Sequence, residues 1–359
     1  MEDIRWFSIE GVLMKIFPLL ALIIYSFGEL FVGSKYILLG FALVQPFAFY
    51  LISGRWVNKT LFYFIFMVFV GSIMNLFVTK NGIGGTILFL TNVLLAIYCL
   101  KCMEAVKCVA LLVLCYNFVF LYNKLFVEMV NPNYIYEDLG LSRNHPGVLL
   151  VIWTCFLGFT RYVTEQKMIR FFPIIACVIA FFLEGRSSLG ILLFLSVVSL
   201  FIGGRMNKFL VPLLLCVLIL SCWSVISDLY MMTSFARNSL ESSRDIIWSA
   251  YFDALNPLSF FGGVDVSQIP AISSVGNNPH NAFLNFHCRM GILGVLALWM
   301  LMIKSVIEYI KLSDFVPLLF FFCIFVRMMF DSCINTTYDF ILYAILLYPI
   351  LKNQTIEPE

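Results

Sequence analysis

Charge is what this sequence has least of. Asp, Glu, Lys and Arg make up 12% of its 359 residues, where a soluble globular chain carries about a quarter, so water is excluded as the main solvent for its surface. The formal net charge of +2 is small and the cations are dispersed, which excludes a nucleic-acid partner. Histidine is scarcer still, at 3. The sequence has no zinc-type cluster of His and Cys, no Walker-type glycine loop, no nucleophile elbow and no Asp-x-Asp pair. These absences leave a reaction without metal or cofactor as the simplest expectation. The 11 cysteines do not make a disulfide framework, because most, such as Cys108, Cys115, Cys155, Cys177 and Cys216, sit inside apolar runs. They read as small packing residues.

What is present is apolar: 62% of the chain, in runs of roughly 16 to 20 residues, each long enough as a helix to cross a hydrocarbon core of about 30 Å. Lipid offers the backbone no hydrogen-bond partner, so helices follow. The expected fold is all-α, a single integral membrane bundle over residues 1–359 with about 12 transmembrane helices. The spans fall near 13–28, 36–53, 60–79, 83–100, 105–122, 147–163, 168–183, 188–203, 209–227, 281–303, 315–330 and 338–351. With the N-terminus in the cytoplasm, Lys and Arg favour the inner breaks by roughly two to one, which orients both termini inward. Two long breaks then face outward: 123–146, and 228–280, the latter carrying a short amphipathic helix.

Polar groups at the edge of a membrane are costly unless paired, hydrated or used, and four places concentrate them. In the tight turn Glu184-Gly185-Arg186-Ser187-Ser188, a serine is placed to cap the next helix. Backbone N–H groups, hydroxyls and the Arg186 guanidinium together suit a phosphate; the alternative is an arginine snorkelling to water. The run Asn277-Asn278-Pro279-His280-Asn281 reads as a helix start, with Asn278 the N-cap and Pro279 the first helical residue. His280 then sits in the first turn, as proton acceptor or as a loop hydrogen-bonding group. From Arg244 to Pro257, Ile247, Trp248, Tyr251, Phe252 and Leu255 recur at helical spacing, with Arg244 facing lipid headgroups or a bound pyrophosphate. Arg327 and Asp331, with Asp339 nearby, suggest a structural ion pair. Arg289, roughly 13 Å deeper than His280 on a regular helix, requires a partner.

In order, Arg143 within Gly140 to Pro146, Arg186 in its tight outer turn, Arg244 ahead of Trp248 and Pro-Leu-x-x-Phe-x-Gly from Pro257, and His280-Asn281 leading to Gly291-x-x-Gly294 resemble the O-antigen ligase and polymerase superfamily. The Wzy-type polymerase branch is most similar, mainly over residues 140 to 300. The resemblance implies a membrane glycosyltransferase architecture of the GT-C type in the bacterial inner membrane, with its site facing the periplasm. It implies an undecaprenyl-pyrophosphate-linked glycan donor, a second lipid-linked repeat unit as acceptor, contact with membrane lipid and a chain-length regulator as partner. The product is O-antigen or capsular polysaccharide. Under that reading Arg186 and Arg244 hold the pyrophosphate and His280 deprotonates the attacking hydroxyl. Arg143 and Arg289 are further candidates for the anion, and Asn281, Ser187 and Trp248 contact substrate. Two alternatives stay open: a ligase that delivers the glycan to a lipopolysaccharide core, and a flippase for lipid-linked oligosaccharides.

Overall fold

The computed structural model describes residues 9–27, 35–53, 59–79, 84–135, 144–202, 244–274, 277–330, 336 and 338–354. Among them every regular element is helical. The chain divides into two compact units, one of residues 1–109 and 244–359, the other of residues 110–243.

The first unit contains α1 (Ile9–Phe27), α2 (Lys35–Ser53), α3 (Lys59–Val78), α4 (Gly84–Lys101) and the start of α5 (Met103–Tyr122). After residue 243 it continues with three short helices, α9 (Arg244–Asp253), α10 (Pro257–Gly262) and α11 (Pro270–Ser273), and three long ones, α12 (Ala282–Lys311), α13 (Phe315–Phe330) and α14 (Asp339–Gln354). The second unit holds the rest of α5, then α6 (His145–Glu165), α7 (Phe172–Phe182) and α8 (Arg186–Ile202), with α6, α7 and α8 in mutual contact.

Membrane packing shows in which residues face out. On α3 the inward stripe is Leu61, Phe64, Val68, Gly71, Ser72 and Asn75, at the three- and four-residue spacing of one helix face. The opposite face exposes Phe62, Phe66, Phe69 and Phe77, the last by 83%. A helix with its polar groups inward and its phenylalanines outward has lipid as its solvent. Five helical stretches are long and apolar enough to cross a membrane: α3, α4, α5 with its extension to Val127, α6 and α12. Shorter apolar helices lie within α1, α2, α7, α8 and α13. Each expected span falls on a helix except 209–227, which lies outside the described residues.

The outer segment expected at 228–280 is described over 244–274 and 277–280, and much of it is helical rather than loop. In the segment 123–146, Asn123–Val127 forms a π turn and Pro132–Tyr134 a 3₁₀ turn.

Within the first unit α12 lies along α3, and α14 packs on α4 and α12. Polar groups fasten these apolar faces at particular points. Ser305 Oγ and Tyr309 Oη on α12 donate to the carbonyls of Leu346 and Ile345 on α14, both at 2.6 Å. Asn92 of α4 donates from Nδ2 to Thr336 O (2.9 Å) and accepts at Oδ1 from Phe340 N (3.0 Å), which fixes the start of α14. Such bonds set rotation and register where lipid-like packing alone leaves helices free to slide.

Candidate functional site

The site is assembled where α9, α12 and α13 end together in the first unit. Asn281 caps α12: its Oδ1 accepts from Phe283 N (2.9 Å) and Leu284 N (3.2 Å), and its Nδ2 donates to Met329 O of α13 (3.3 Å). The expected cap, Asn278, lies three residues too early. Asn278 instead accepts at Oδ1 from His280 N (2.8 Å), an Asx turn, and Asn277 and His280 both take left-handed backbone, with φ of 59° and 50°. The chain turns twice before it enters the helix, so His280 precedes the cap rather than sitting in the first turn. A left-handed non-glycine costs of order 1 kcal/mol and persists only where its surroundings hold it. Here the Asx turn and the Asn281 cap do so from either side.

The segment from Arg244 packs on this corner. Trp248 Nε1 donates to Pro279 O (3.0 Å), and the Arg244 guanidinium lies over the Phe330 ring, 5.8 Å from its centroid. Asn281 and Arg244 thus touch the last two residues of α13, and Trp248 touches the residue before His280. The structure brings Arg244, Trp248, His280 and Asn281 to one place. Trp248→Phe removes one bond, and we expect it to lower stability by about 1 kcal/mol, measured as a lower midpoint of thermal unfolding in detergent.

Beneath the corner, the buried face of α9 differs from the expected one. Ile247 and Tyr251 turn inward onto Val264, Ile269, Ile272 and Cys288, with Trp248 and Leu255 packed at the margin, while Phe252 is exposed. Tyr251 Oη lies 2.5 Å from His287 Nδ1, and His287 Nε2 lies 2.8 Å from Phe260 O. A carbonyl only accepts, so Nε2 carries the ring proton and Nδ1 accepts the tyrosine's. Burial pushes the Tyr251 phenol above its ordinary range, which keeps it a donor. His287 therefore ties α9, α10 and α12 together. Tyr251→Phe strands a buried acceptor, and we expect a loss of about 1 to 2 kcal/mol, read from the same unfolding midpoint.

The third part is a cavity of about 390 Å³ lined by Ser72, Asn75, Leu76, Gly85, Thr86, Asp265, Val266, Ser267, Asn277, Asn285, Cys288 and Arg289. Asn285 and Arg289 are four apart on α12 and so share one face. Arg289 is exposed and lines this space although it lies in the longest of the helices apolar enough to cross a membrane. Asp265 accepts from Ser267 N (3.1 Å), Ser267 Oγ (2.6 Å) and Gln268 Nε2 (3.0 Å), which closes the turn Val266–Gln268 along the wall.

Below Arg289 the helix is interrupted. Gly291 has φ 60° and ψ −174°, a region open essentially to glycine. The interruption frees carbonyls from the helical ladder, and Asn75 of α3 meets one of them: its Nδ2 donates to Cys288 O (2.7 Å) and to Gly262 O (2.6 Å), while its Oδ1 accepts from Thr79 Oγ1 (3.0 Å). Gly263, at φ 97°, completes the junction, where a Cβ would meet Asn75 Nδ2 and His287 O, each at 2.6 Å.

The remaining candidates divide as follows. Ser187 is in the first turn of α8, in the second unit, and neither it nor Ser188 caps the helix, because α8 begins at Arg186 and Leu189 N donates to Gly185 O (2.8 Å). Arg186 contributes the first residue of α8; its side chain lies outside the described residues, as do Arg143 and Asp331. Arg327 is 1% exposed. Asp339 accepts from Thr336 N (3.1 Å) and Oγ1 (2.9 Å), a capping role at the start of α14.

Sequence reasoning passed over Asn75, Asp265, Asn285 and His287. Asn75, Asn285 and His287 are polar groups in or beside apolar runs, the signal that singled out Arg289; Asp265 carried none. No protein-family model and no curated protein matches this chain.

Proposed function

We propose that the protein joins lipid-linked oligosaccharide repeat units into a longer glycan, as a metal-independent glycosyltransferase of the O-antigen polymerase type in a bacterial inner membrane. In this reading both termini are cytoplasmic and the corner at His280 faces the periplasm. The observation that carries it is the corner itself. An arginine, a tryptophan and a histidine held in left-handed backbone meet at the start of α12, and a polar cavity shares that helix. Each element suits one requirement of the reaction. His280 takes the proton of the attacking sugar hydroxyl. Arg244 stabilises the charge that builds on the departing pyrophosphate. The exposed apolar side chains of α9 and α10, Ile246, Phe252, Leu258, Phe260 and Phe261, suit an element resting in the lipid interface beside a polyprenyl-linked substrate.

The test is polymerisation by the purified protein in liposomes, supplied with an undecaprenyl-pyrophosphate-linked repeat unit and followed by product length on a gel. A ladder of products from the wild type, lost in His280→Ala and in Arg244→Ala, is the expected result. Full-length ladders from both variants overturn the assignment of roles, and transfer only onto an added lipopolysaccharide core identifies a ligase.

The break at Gly291 favours a second reading, because transporters for polar cargo use interrupted membrane helices. Under that reading the same liposomes move the repeat unit across the bilayer and form no new glycosidic bond.

A further inference from the structure

The charge and chemistry of the cavity wall select among the parts of a lipid-linked glycan, and the selection rests on the glycan-transfer reading above. Among the described residues the charged groups lining the cavity are Arg289 and Asp265. Asp339 also lies within electrostatic range of Arg289. One cation therefore stands against two carboxylates, a poor setting for a pyrophosphate, whose oxygens would face the Asp265 carboxylate.

The uncharged lining points the same way. Ser72 and Asn75 are spent on packing, Ser72 Oγ on Met290 Sδ (2.9 Å) and Asn75 on the junction at Gly291. Thr86, Asn277 and Asn285 bring hydroxyl and amide groups that both donate and accept, Arg289 donates only, and Asp265 accepts only. Three donors already occupy the Asp265 carboxylate, which leaves it roughly one more lone-pair site. A ring of sugar hydroxyls, each a donor and an acceptor, matches this mixture, whereas a phosphate offers acceptors alone. A volume of about 390 Å³ is at the small end of the range for ligand sites, suited to a short stretch of sugar and not to a polyprenyl tail.

We infer that the cavity around Arg289 binds an uncharged sugar of the repeat unit and that Arg289 is a glycan-binding residue. Arg289 acts as a fork of hydrogen-bond donors, with the Asp265 carboxylate in the same lining and Asp339 within electrostatic range. The leaving pyrophosphate is held elsewhere.

The experiment uses the full chain in detergent and two probes by calorimetric titration. One is the free repeat-unit glycan, released from its lipid by mild acid and freed of phosphate. The other is undecaprenyl pyrophosphate carrying no sugar. For Arg289→Gln we expect glycan affinity to fall about tenfold or more and undecaprenyl pyrophosphate affinity to stay within about twofold of wild type. Thr86→Trp, at the first turn of α4, fills part of the cavity without touching a charge and should give the same pattern if Arg289→Gln does not fold. The inference is overturned if Arg289→Gln weakens undecaprenyl pyrophosphate and spares the glycan, if Thr86→Trp leaves glycan affinity unchanged, or if the wild type binds the lipid and not the glycan. A wild type that binds neither probe overturns the glycan-transfer reading and the inference together.

Discussion

Gly291→Ala is expected to destabilise the first unit by roughly 3 kcal/mol or more, among the largest effects of a single methyl group. Two costs add. The backbone at φ 60° and ψ −174° belongs to a region that residues with a Cβ avoid, at a cost of order 1 to 3 kcal/mol. A Cβ built there also falls 2.1 Å from Phe261 O, and that atom is backbone, which does not swing aside. Relief requires α10 to lift from α12, and with it the Asn75 bonds to Gly262 O and Cys288 O and the His287 bond to Phe260 O. Unfolding of purified wild type and variant in the same detergent, followed by the loss of helical signal, measures the difference. An unchanged midpoint would show that the interruption of α12 is not fixed by this glycine. The matched control is Gly84→Ala, at a position where a Cβ meets nothing within 4 Å and where the change should be small.

The helices were legible from sequence because lipid imposes a coarse rule. A segment must be apolar over its whole length and satisfy its own backbone, and composition in a sliding window detects that directly. The junctions were not legible, because single residues decide them. A lone glycine inside an apolar run reads as a tolerated defect. Gly291 acts as an interruption only because Phe261 O approaches it and Asn75 reaches the freed carbonyl, neither of which is near in sequence. The start of α12 was misplaced for a related reason. Asn-Pro is a strong helix-start signal, but left-handed turns at Asn277 and His280 use Asn278 for an Asx turn and pass the cap to Asn281. In α9 the spacing gave a helix and an apolar face, and it did not give which apolar residues turn inward. Ile246 and Ile247 are adjacent and chemically alike, yet one is 68% and the other 2% exposed. Arg289 was recognisable as a costly charge needing company. That its company includes Asp265 and Asp339 was not legible, because each is well separated from it in the chain.

His280→Ala is expected to lower the rate of glycan polymerisation by about 10² to 10⁴-fold, the usual contribution of a positioned general base, while leaving the fold intact. The structural half of this expectation follows from the turn that carries the residue. Three bonds that shape the turn are made by neighbours and by the His280 backbone: His280 N to Asn278 Oδ1, Trp248 Nε1 to Pro279 O, and the Asn281 cap. Removing the imidazole leaves these three in place. Alanine accepts a left-handed φ less readily than histidine, and Asn is among the residues that accept it best. His280→Asn therefore separates the two contributions. It keeps the turn and removes the base, so it should match His280→Ala in lost turnover and match wild type in unfolding midpoint. A rate within about threefold of wild type in His280→Asn would mean that the histidine shapes the entry to α12 and that the proton leaves by another route. A large loss in both variants at unchanged stability would place the chemistry at the corner where α9, α12 and α13 meet, with the sugar-binding cavity one turn and more further down the same helix.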